Sequence, residues 1–159
     1  VKRELHGKTA PCPVPTAGRH LVGDDAFDYS DAFVRSLPGG DRRSAEVWAR
    51  TMFTPSGLVW NTFAATWGVA TGVQPPRRGN RAGFFKVVTP DRGATVWTAD
   101  GPRYRIHLVV LVGEGRVTFA TFVKAHNSVW RQVLKGIMVA HRRVAPLMME
   151  RAVGVLSGS

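Results

Sequence analysis

His141 is the side chain in this sequence best placed for chemistry. Trp130, Val133, Leu134, Ile137, His141, Val144 and Met148 recur at helical spacing. At about 100° per residue the imidazole therefore shares the apolar stripe of a helix and faces whatever that helix packs on. An imidazole titrates near neutrality, which suits it to act as a general acid or base, or to hold a polar group of a ligand lining a cavity. The same position also suits a core histidine satisfied by one neighbour. Both readings stay open on the sequence.

The other reactive groups form weaker patterns. His107, His126 and His141 are spaced 19 and 15 apart with no cysteine or adjacent carboxylate to complete a ligand set, so no metal is expected. No cofactor motif is present, and none is expected to bind. Asp24-Asp25-Ala26-Phe27-Asp28, followed by Asp31, superficially matches an aspartate-rich motif for magnesium diphosphate. That motif belongs to large all-helical bundles, and carboxylates clustered at the start of an element act more often as solvated caps or arginine partners. Cys12, alone between Pro11 and Pro13, reads as an inert thiol, and a single cysteine suits a reducing, cytoplasmic compartment. Arg77, Arg78 and Arg81, after Pro75-Pro76, form a basic loop that can contact an anion. Arg131, Lys135 and Arg142 line a flank of the long helix. Solvated arginines, phosphate contacts, or a rim that holds the carboxylate or phosphate of an apolar ligand all fit these positions.

The elements that must position these groups follow from composition and period. The chain has 159 residues, 44% apolar and 21% charged, which suits one globular domain with a core that needs no disulfide or metal. Its formal charge of +11 is of the kind seen in partners of nucleic acid or anionic surfaces. The excess is uneven, because residues 1–46 carry seven basic and seven acidic side chains. No helix-turn-helix, zinc-finger or RNA-binding aromatic signature accompanies it, which makes nucleic acid the lesser expectation. No apolar signal segment follows the basic N-terminus. The uncharged stretch between Arg50 and Arg77 is broken by proline and glycine, and its apolar part is too short to span a bilayer.

Prolines 11, 13 and 15 predict an extended arm over residues 1–23, with the domain proper at 24–155. Asp28–Leu37 fits strand or helix equally. Short helices are expected after Asp41 and from Ser56 or Gly57 to Val69. The second carries Trp60, Phe63 and Trp67 on one face and no charge on the other. That composition suits core packing, a pocket lid or a homodimer contact. The period then switches to alternation, predicting strands over Phe84–Thr89, Ala94–Ala99, Arg103–Val112 and Arg116–Lys124 joined by tight turns. A long amphipathic helix closes the chain from Asn127 or Ser128 to Ala152, with a kink or break expected before Pro146.

This order predicts an α+β helix-grip fold: a curved antiparallel sheet packed against a long C-terminal helix, with two shorter helices in the N-terminal half. Asp28-Tyr29-Ser30-Asp31-Ala32-Phe33 and His141-Arg142-Arg143-Val144-Ala145-Pro146-Leu147-Met148 resemble an uncharacterised bacterial family placed near the START-like superfamily, which includes polyketide cyclases. The resemblance implies a cavity between sheet and helix for a hydrophobic or amphipathic small molecule. It transfers no catalytic position. Lining residues expected on that basis are Trp60 and Trp67 at the entrance, Trp97, Tyr104 and Phe119 on the sheet, and Trp130, Ile137, His141 and Met148 on the helix. An enzyme of cyclase or hydrolase type using His141 is the alternative.

Overall fold

The computed structural model describes residues 8–23, 26–39, 41–54, 58–72 and 85–158, with the backbone alone for residues 58–60, 63, 64, 70 and 71. The elements run β1 (Ala10–Pro11), α1 (Thr16–Val22), β2 (Tyr29–Ser36), α2 (Ala45–Phe53), α3 (Leu58–Thr71), β3 (Lys86–Asp91), β4 (Ala94–Asp100), β5 (Tyr104–Gly113), β6 (Arg116–Ala125) and α4 (Ser128–Ser157). The strands form one curved, wholly antiparallel sheet in the order β1-β2-β6-β5-β4-β3. This is the α+β arrangement expected, with the long terminal helix packed on the sheet.

Turn chemistry builds the meander. Glu114 and Gly115 both take positive φ, 51° and 69°, the backbone that a two-residue link needs to match the twist of β5 and β6. Between β3 and β4 the Gly93 amide donates to Asp91 Oδ1 at 2.6 Å, an Asx turn. Pro90 lies in β3, where the register shifts between Val88 and Asp91. An edge strand tolerates this because no ladder partner needs the missing amide. The ambiguous Asp28–Leu37 segment is strand β2, and its pairing with β6 puts Phe33 opposite Phe119 and Asp31 opposite Thr121.

Alternation then sorts the sheet into two faces. Phe33, Trp97, Tyr104, Ile106, Val110, Phe119 and Val123 join the main core with α2 and α4. Ala32, Val96, Val109, Ala120 and Phe122 form a second cluster on the opposite face, covered by Cys12, Val14, Val22 and Phe27. In α2, capped by Ser44 through the Val47 amide, Trp48, Met52 and Phe53 are fully buried, each contributing on the order of 2–3 kcal/mol of apolar burial.

Three expectations are corrected. The arm is not extended throughout: after Pro15, Thr16–Val22 is helical, because the prolines end there and Val22 packs on the cluster formed by Val109 and Phe122. Of the kink or break expected near residues 142–146, the break does not occur: the long helix is continuous through Pro146 to Ser157, since packing of both halves outweighs the lost amide hydrogen bond. Its buried line is also rotated from the expected stripe. Leu134, Met138, His141, Ala145, Met149, Ala152 and Leu156 are buried, whereas Val133 is 41% exposed, because the sheet and α2 wrap one flank that residue type alone does not mark.

Candidate functional site

Polar side chains gather where β2 and β6 pass beneath the middle of α4. The cross-strand pair Asp31 and Thr121 projects toward the helix, and Tyr29, two residues before Asp31, shares that face. His141 descends on them from α4 with only 4% of its surface exposed. Its Nε2 lies 3.0 Å from Thr121 Oγ1 and 3.5 Å from Asp31 Oδ1. Two oxygens facing Nε2 favour the proton on that nitrogen and a lone pair on Nδ1.

Asp31 uses its two oxygens differently. Oδ2 accepts the Tyr29 hydroxyl at 2.5 Å. Oδ1 is buried and has no hydrogen bond among the described residues, which leaves the imidazole as its nearest polar neighbour. Tyr29 Oη in turn accepts from Arg142 Nε at 2.9 Å, and the guanidinium lies 5.3 Å from the centre of the phenol ring. Burial, then the bond to Asp31, pushes the Tyr29 phenol well above its ordinary range despite Arg142. Aromatic rings surround the imidazole: Trp67 at 5.8 Å, Phe119 at 6.2 Å and Tyr29 at 6.5 Å between centroids.

Of the expected lining residues, the structure thus brings together Trp67, Phe119 and His141. Ile137 and Met148 are half-buried on the flank of α4 that packs against the same core. Tyr104 and Trp130 form a separate pair near the start of α4, with rings 6.2 Å apart and the Tyr104 hydroxyl donating to the Trp130 carbonyl at 2.9 Å. Trp97 is fully buried elsewhere in the core, against Phe53 and Phe85. The Trp60 side chain and Arg77, Arg78 and Arg81 lie outside the described residues. The histidines are scattered. His107 lies on the opposite face of the sheet, bonded to Thr98 Oγ1 at 2.8 Å and edge-on to Phe27, and His126 contacts the Gly101 carbonyl and Asp100.

Tyr29, Asp31 and Arg142 enter the cluster without having been singled out for it. Their signal was present in β2: Tyr29, Asp31, Phe33 and Arg35 alternate on one face, and a polar residue in phase with an inward phenylalanine is a buried polar residue once the segment is a strand. At the far end of the same face Arg35 forms an ion pair with Glu150 of α4. Glu150 Oε1 also accepts the Thr9 amide and hydroxyl at 2.6 and 2.7 Å. Burial pushes the Glu150 carboxyl up, but the bonds from Thr9 and the Arg35 guanidinium outweigh it and hold the group below its usual range.

Comparison with known protein families, curated proteins and solved structures finds no match to the chain, so the site stands on its own geometry.

Proposed function

We propose that this protein binds a hydrophobic or amphipathic small molecule between the concave face of the sheet and α4, with the polar end of the ligand directed to the His141 cluster. The observation that carries the reading is the placement of Asp31, Thr121 and His141 side by side against the apolar core between sheet and helix. A buried polar group without full compensation costs on the order of 1–3 kcal/mol, and Asp31 Oδ1 bears such a cost with no hydrogen bond among the described residues. A cluster kept at that cost points to use rather than to packing. The resemblance to START-like proteins agrees with this reading, and so does the element order of the fold. The basic excess then belongs to the outside and rim of a container in the cytoplasm.

Native mass spectrometry of the purified protein tests the proposal. A non-covalent mass adduct that organic extraction removes, and that is lost in Trp67→Ala, is the expected result. Absence of any adduct, together with no binding of apolar fluorescent probes to the extracted protein, overturns it. Affinity that collapses between low and moderate salt would instead indicate phosphate contacts and a nucleic-acid partner.

One observation favours a second, enzymatic reading. A proton on Nε2, facing the Thr121 hydroxyl and near Asp31, leaves the His141 Nδ1 lone pair as the basic atom, with the ring oriented by its bond to Thr121. Turnover of a co-purified ligand that ceases in His141→Gln while its binding persists would select this reading over simple carriage.

A further inference from the structure

The N-terminal arm, the outer edge of β2 and the middle of α4 enclose an open groove of about 600 Å³, on the arm side of the helix–sheet interface just described. Its walls are Pro11, Val14, Phe33 and Pro146, with Arg19 and Arg142 as its cations. Arg142 is held by two contacts, its Nε on the Tyr29 hydroxyl and its plane over the Tyr29 ring. Its two terminal nitrogens have no hydrogen-bond or ion-pair partner among the described residues. The Arg19 guanidinium, on α1, likewise has no hydrogen-bond or ion-pair partner among the described residues, where its backbone amide bonds to the Pro15 carbonyl. Asp31, the one acidic residue among the described residues of the groove wall, has Oδ2 taken by Tyr29 and Oδ1 buried toward His141, while its charge still acts on the Cys12 thiol and on Arg142. Among the described residues, the groove therefore presents guanidinium forks whose terminal nitrogens have no partner, beside proline, valine and phenylalanine surface.

We propose that this groove is a second binding site, for an organic carboxylate with an apolar body. A planar fork pairs with both oxygens of a carboxylate, and a guanidinium already fixed by its Nε loses less freedom on doing so. The apolar walls take the remainder of the molecule, which a free inorganic anion would leave empty. The groove adjoins the interior site and shares Asp31 and Arg142 with the His141 cluster, whereas Pro11, Val14 and Arg19 belong to the arm and take no part in that cluster.

Cys12, the single cysteine of the chain, is partly exposed and lines both this groove and a neighbouring one walled by Ala17, Val34, Leu111 and Arg116, so its alkylation reports occupancy here when protection also depends on Arg19 or Arg142, which line this groove and not its neighbour. The experiment measures the rate of Cys12 alkylation by iodoacetamide at fixed pH against increasing octanoate. Octanoate is expected to slow the reaction saturably, and octan-1-ol to do so only at much higher concentration. Removing one charge-assisted pair in Arg19→Met or Arg142→Met is expected to raise the half-protecting concentration about tenfold. Arg19 bonds to no other side chain among the described residues, so Arg19→Met keeps the test valid even where Arg142→Met disturbs Tyr29. No protection by octanoate, equal protection by octan-1-ol or by inorganic phosphate, or unchanged protection in Arg19→Met each overturns the proposal. Trp67→Ala, which alters the interior site at a residue off the groove wall, should leave the protection of Cys12 as it is.

Discussion

Asp31 Oδ1 and His141 Nε2 stand 3.5 Å apart across the interface between β2 and α4. One belongs to the first long strand and the other to the middle of the terminal helix, so the contact exists only when sheet and helix are docked. Neither group reaches bulk water at that point, and each has one further polar contact, Asp31 with the Tyr29 hydroxyl and His141 with Thr121. Removing one therefore costs more than the bond between them, because the remaining partner stays buried.

His141→Leu is expected to destabilise the protein by about 3 kcal/mol, because it strands the Asp31 carboxylate. Adding Asp31→Asn should recover part of that loss, giving a coupling of about 1–2 kcal/mol in a double-mutant cycle read by urea unfolding. Strictly additive losses would show that the pair does not interact.

The two tyrosines of the chain, Tyr29 and Tyr104, both have phenols pushed up by burial, Tyr29 further by its bond to Asp31. In the folded protein neither should ionise around pH 10, where a free phenol does. A raised folded value means that the stabilising contribution is complete below the unfolded value and is lost as pH climbs through the folded one. Unfolding free energy should thus fall above about pH 10, and less steeply in Tyr29→Phe. Phenolate absorbance rising near pH 10 without loss of structure would refute this.

Glu150 fastens the N-terminal arm to the terminal helix through Thr9 and meets Arg35 beside it. Its carboxyl is held low in the fold, so its contribution is present above the unfolded value and disappears as pH falls through the folded one. Hydrogen exchange at the Thr9 amide should accelerate in acid before the β5 and β6 amides respond. Glu150→Gln should show the same acceleration already at neutral pH. Exchange at Thr9 that tracks global unfolding in both proteins would exclude a separate fastening.

Asn127 Oδ1 accepts the Trp130 amide at 3.0 Å and caps α4. Asn127→Ala should cost about 1 kcal/mol, and Asn127→Asp should retain most of the stability. Equal melting temperatures for all three proteins would show that sheet packing alone starts the helix.

Much of the fold was legible because period and turn residues are local properties. The alternation in β5 and β6, the Glu114-Gly115 turn and the long apolar repeat of α4 each declare their element within a few residues, and short links leave an antiparallel meander as the simplest closure. Pro146 misled because its penalty is local whereas the packing that overrides it is not. The arm misled for a related reason: Thr16–Val22 has little helical preference of its own and is held by the Phe122 surface.

The cluster at His141 divides in the same way. Sequence alone determined that His141 lies on the buried side of a helix and that Thr121 and Phe119 share a strand face, since both follow from 3.6- and 2-residue repeats. Asp28–Leu37 satisfied both periods, so nothing local told whether Tyr29 and Asp31 point inward. Pairing with β6 decided it: the register Asp31 to Thr121 fixes which side chains of β2 face α4, and a slip of one residue would have turned them to the other face. Only tertiary structure could therefore bring a phenol, a carboxylate, a hydroxyl and an imidazole from three elements into one buried group. Their contacts span long stretches of chain, and such contacts are set by docking free energy rather than by any nearby residue.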